Sequence, residues 1–94
     1  MIKKIKYSKQ FKIAYILRIK KSSLLREEMR EAVKVFQHNP LDPSIKIHSL
    51  KGKMSDKKAF NISADLRIVY VESKEYYIFL DIGTHGEVYK TPKY

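Results

Sequence analysis

DLRIVYVESKEYYIFLDIG, residues 65–83, is the stretch that decides the fold. Two runs of β-branched and aromatic residues, DLRIVYVES and YYIFLDIG, meet at the polar linker SKE. Such residues suit a pleated, half-buried surface, and a linker this short joins antiparallel neighbours. Upstream, AFNIS at 59–63 reads as a third strand, joined through Ala64 and Asp65. IKIHSL at 45–50 alternates like a fourth, and KGKMSDKK at 51–58 is the polar loop between them.

Nearer the start the period changes. Residues 2–8, IKKIKYS, read as a short strand, with Ser8 placed to cap a helix from Lys9 to about Lys21. Its apolar residues Phe11, Ala14, Tyr15 and Leu17 are broadened by Ile13, Ile16 and Ile19. Ser22 or Ser23 caps a second helix whose Leu25, Met29, Ala32, Val33 and Phe36 form an amphipathic stripe. It must end at HNPLDP, where two prolines disfavour helix. The expectation is an α+β domain spanning residues 1–94. An N-terminal strand and an antiparallel helical hairpin pack on one face of a small, mostly antiparallel four-stranded sheet.

Twenty Lys and Arg against ten Asp and Glu give a net charge of +10. Polyanions are then the natural partners: nucleic acid first, then an acidic protein, then an anionic membrane surface. Residues 1–21 carry eight basic residues and no acid, and the 46–58 loop adds Lys46, Lys51, Lys53, Lys57 and Lys58 against Asp56 alone. Lys51 and Lys53 flank Gly52 in a tip suited to phosphate contact. Cysteine is absent, which excludes disulfides, thiol nucleophiles and thiolate metal sites and suits a reducing cytoplasm. No apolar run is long enough to span a membrane.

Three histidines could do chemistry. His38 ends the second helix and reads as structural, whereas His48 precedes the basic loop and His85 follows the last strand. If residues 85–89 make a helical turn, His85 and Tyr89 point the same way. Gly83 and Gly86 are expected to turn the backbone there and admit a ligand. Asp65 and Arg67 project from one face of their strand, either as a surface ion pair or with Arg67 gripping a phosphate. Together these residues match RNA cleavage without a metal: a base for the 2′-hydroxyl, an acid for the leaving 5′-oxygen, a cation for the phosphorane. The chain lacks the carboxylate cluster of a two-metal nuclease, and no cofactor is expected.

His48 before LKGK, then DLRIVY, then LDIGTHGEVY, all behind a basic helical hairpin, resemble the RelE/ParE toxin superfamily in its YafQ-like branch. The resemblance implies a ribosome-dependent mRNA interferase neutralised by a cognate acidic antitoxin. It would meet mRNA in the ribosomal A site together with ribosomal RNA. It places functional residues at His48, Asp65, Arg67, His85 and Tyr89, with Lys51, Lys53 and Asn61 against the RNA. YafQ-like members carry a further histidine where this chain has Asn61, which cannot shuttle a proton near neutral pH. The alternatives are a ParE-like gyrase inhibitor without nuclease activity and a non-catalytic basic RNA-binding module.

Overall fold

The computed structural model describes residues 3–89. In chain order these form β1 (Lys4–Tyr7), α1 (Lys9–Arg18), α2 (Ser23–His38), β2 (His48–Ser49), β3 (Lys58–Asn61), β4 (Leu66–Glu72), β5 (Tyr76–Thr84) and α3 (His85–Tyr89). Ile2, at the head of the expected first strand, lies outside the described residues. The sheet has five strands in the order β1-β5-β4-β3-β2. It exceeds the expected four because β1 joins parallel to β5, while every other pairing is antiparallel.

Both long helices start where serine permits. Ser8 Oγ accepts from the Phe11 N–H at 3.0 Å, and Ser22 Oγ accepts from the Leu25 N–H at 3.1 Å, each supplying an orphan donor of a first turn. Helix α1 stops at Arg18 rather than Lys21, because Ile19 turns inward to 1% exposure and the chain then bends towards α2. Its core face is also narrower than its composition suggests. Phe11 and Ala14 are buried, but Ile13, Ile16 and Leu17 stay exposed, Leu17 at 74%. Helix α1 packs chiefly on β5, which leaves its far flank without a partner among the described residues.

The main core lies between the helices and one sheet face. Phe36 is its hub: it stacks on Phe60 at 4.4 Å and meets Tyr77 and Tyr70 edge-on at 4.6 and 5.0 Å. A bulge between β4 and β5 is needed to build this layer. Val69 pairs with Asp81, the next residue Tyr70 pairs with Phe79, and the extra residue Leu80 shifts the facing. Tyr70 and Phe79 can then both point at the helices.

Tyr70 is 2% exposed. Burial, reinforced by the nearby Glu72 charge and by Tyr77, pushes its phenol well above the ordinary value of 10.0. A raised folded-state value favours the protonated form, so its stabilising effect is complete below about pH 10, the unfolded value. It is lost as pH rises beyond that, when the unfolded chain ionises and the folded one resists. Thermal melts should therefore show wild type losing stability relative to Tyr70→Phe above about pH 10. Parallel pH curves for the two proteins would contradict this assignment.

The other sheet face is not left bare. Ala59, Val69 and Val88 form a small second core there, flanked by Leu50, Met54, Leu80 and Tyr89. Helix α3 and the 50–54 segment thus wall a depression instead of leaving an open plane.

Candidate active site

Five of the singled-out side chains, His48, Lys51, Arg67, His85 and Tyr89, meet at that depression. A hollow of ≈ 360 Å³ is lined by His48, Ser49, Leu50, Lys51, Met54, Arg67, His85 and Tyr89. They come from β2, the basic loop, β4 and α3, so the site exists only when the sheet is assembled.

The hydrogen bonds fix how the rings present themselves. His48 Nδ1 lies 2.9 Å from the Lys46 carbonyl oxygen. A carbonyl only accepts, so Nδ1 carries the hydrogen and the Nε2 lone pair faces the hollow. The Tyr89 hydroxyl donates towards that Nε2 across 3.5 Å. Lys46 holds its carbonyl in place through a left-handed backbone, φ 49°, one of the few places where the chain accepts that conformation.

On the other side, Arg67 Nη1 approaches His85 Nδ1 at 3.4 Å. Guanidinium only donates, so Nδ1 accepts and the His85 hydrogen sits on Nε2. The His85 and Tyr89 rings meet edge-to-face at 4.6 Å, and the Arg67 guanidinium lies 5.7 Å above the Tyr89 ring. The arginine Nε and the Asn61 Oδ1 are both buried and have no partner among the described residues. The two residues face each other in the β3–β4 ladder. Such orphaned polar atoms are costly.

The helical turn at 85–89 forms as expected, by a device the sequence reading overlooked. Thr84 and Glu87 make a capping box: Glu87 Oε1 accepts from the Thr84 N–H at 2.8 Å, and Thr84 Oγ1 accepts from the Glu87 N–H at 3.3 Å. The pattern T-x-x-E at 84–87 was there to be read. Gly83 and Gly86 need correcting. Neither has a positive φ; Gly83 is a strand residue hemmed in by its neighbours, and Gly86 has open space around its Cα.

Three other candidates stand outside the hollow. Asp65 is exposed in the bend before β4, not in the strand, and no described hydrogen bond or ion pair ties it to Arg67 or to a histidine. Lys53 is exposed in a 3-10 turn and does not line the hollow, whereas Lys51 does. Asn61 adjoins Arg67 in the ladder but borders a separate groove beside α2.

The family model described as the bacterial YafQ toxin of type II toxin–antitoxin systems matches residues 3–90. The chain belongs to the YafQ toxin family. No curated protein matches it. Among solved structures, a metal-bound toxin from Helicobacter pylori is 27% identical with TM-score 0.76, covering 95% of this chain and 100% of that one. YafQ in the E. coli DinJ–YafQ toxin–antitoxin complex is 20% identical with TM-score 0.75, over 95% and 99% of the two chains. A YoeB/ParE toxin from Agrobacterium tumefaciens is 19% identical with TM-score 0.70, over 87% and 98%. These last two likenesses speak to the fold. No helix among the described residues is long and apolar enough to cross a membrane.

Proposed function

We propose that this YafQ-family toxin is a ribosome-dependent mRNA endonuclease that cleaves by proton transfer between two histidines. The observation that carries the reading is the convergence of His48, Arg67, His85 and Tyr89 on one hollow from three separate elements, β2, β4 and α3. His48 Nε2, with its lone pair inward, takes the 2′-hydroxyl proton once that hydroxyl replaces Tyr89 as its neighbour. The freed 2′-oxygen attacks phosphorus and the bond to the 5′-oxygen breaks. His85, which takes up a second proton at Nδ1 when Arg67 turns from it to the phosphate, acts as imidazolium and delivers its Nε2 proton to the leaving oxygen. The products are a 2′,3′-cyclic phosphate and a 5′-hydroxyl end. Arg67 grips the phosphorane, aided by Lys51, and Tyr89 stacks on a base. Asp65, exposed and apart, takes no share in the proton transfers.

A cognate acidic antitoxin is the complementary partner of a chain with net charge +10, as DinJ is a partner of the related E. coli YafQ. Primer extension after brief induction should find cuts at fixed codon positions in translated mRNAs. Intact messages accompanied by a DNA-damage response would favour gyrase inhibition instead. RNA binding without cut products would leave a non-catalytic module.

A further inference from the structure

One polar cluster outside the hollow ties together three elements. Arg18, in the last turn of α1, lies at the β5 edge with Nη1 donating to Asp81 Oδ1 at 3.1 Å and to the Ile82 carbonyl at 2.9 Å. Its Nε stands 3.6 Å from Glu87 Oε2. Asp81 is fully buried, and its Oδ1 also accepts from the Ile82 N–H at 2.9 Å. Glu87 faces both ways: one carboxylate oxygen meets Arg18 and the other closes the Thr84 cap. There is no slack, because a Cβ on Gly83 would stand 2.8 Å from both Arg18 Nη1 and Glu87 Oε1.

We propose that Arg18 and Glu87 form a clasp that positions His85 for the cleavage reaction, although neither residue lines the hollow. Helix α3 has five residues, and His85 is its first. A helix of that length has no stability of its own, so its tilt is set by what holds its ends. The cap fixes the N-terminal turn to β5, and the arginine fork fixes both to α1. His85 and Tyr89 therefore meet Arg67 and His48 at an angle determined by a helix on the far side of the strand.

The proposal rests on the RNA-cleavage reading for its kinetic effect, but the ring placement can be measured without RNA. Arg18→Ala risks unfolding by leaving Asp81 short of a buried partner, so the deciding variants are at Glu87. Glu87→Ala removes both contacts, whereas Glu87→Gln retains an oxygen for the Thr84 N–H and loses the charge facing Arg18. A misplacement of about 1 Å at a reacting group can cost on the order of 10²-fold. Glu87→Ala should accordingly lower kcat on ribosome-bound mRNA by about 30-fold with KM changed by less than about twofold. Glu87→Gln, which keeps the Thr84 cap but turns an amide NH2 towards the Arg18 guanidinium, should recover only part of that loss, and full recovery would remove Arg18 from the clasp. In the RNA-free protein, the nuclear Overhauser contact between the Tyr89 ring on α3 and the His48 ring on β2, whose Oη and Nε2 are now 3.5 Å apart, should fade in Glu87→Ala and weaken less in Glu87→Gln.

An unchanged ring contact in folded Glu87→Ala overturns the clasp. So does a fall in kcat no larger than the loss of folded protein in a thermal melt. Should wild type cut no RNA, the proposed function fails, and the clasp is then judged on the ring contact alone.

Discussion

Replacing His85 with alanine should slow the proposed cleavage of ribosome-bound mRNA by about 10³-fold, within the ~10²–10⁴ that a positioned proton-transfer group contributes. Growth arrest should be relieved, and the melting temperature should barely move because the ring is exposed and no core residue depends on it. Arg67→Ala should cost about 10²–10³-fold through lost stabilisation of the phosphorane. Arg67→Lys should recover little, since an ammonium restores the charge but not two parallel N–H donors. Single-turnover cleavage on stalled ribosomes measures both. Folded variants that stay fully toxic would remove these two residues from the mechanism and return the gyrase reading to the front.

The second large effect is on stability. Phe36 is fully buried and touches four aromatic rings: Phe60, Tyr70, Tyr77 and Phe79. Phe36→Ala leaves a cavity that the rigid sheet side cannot fill, at a cost of about 3–5 kcal/mol. Domains of this kind have only ~5–15 kcal/mol of net stability, so the urea midpoint should fall by a large fraction. Phe36→Leu should lose less, because most of the apolar volume remains. A midpoint drop equivalent to under about 1 kcal/mol for the alanine variant would mean that the core relaxes around the gap.

The sequence pattern of residues 65–83 predicted the β4–β5 hairpin, and the two serine caps placed both long helices, because these are local signals. What escaped depended on distant contacts. The parallel docking of β1 beside β5 cannot be inferred from a four-residue strand flanked by lysines. Nor can the exposure of Ile16 and Leu17, which the apolar pattern of α1 assigns inward until the helix is seen packing chiefly on β5. In the hollow, His48, Arg67, His85 and Tyr89 were recognisable by chemical type. Asp65 was drawn in by its place next to the strand, but backbone alternation starts only at Leu66. Arg18 was counted as one more surface cation, and only the fold reveals the buried carboxylate it faces.

The ladder between β1 and β5 sets an order on biosynthesis. Lys4 is made long before its partner Tyr76, and Tyr7 long before its partner Phe79. No nascent chain can close its sheet before Phe79 has been made, and His85 and Tyr89 emerge later still. A truncated product would hold His48 and Arg67 without the second imidazole. Under the proposed chemistry, the two imidazoles meet only once α3 has left the ribosome and the sheet has closed behind it.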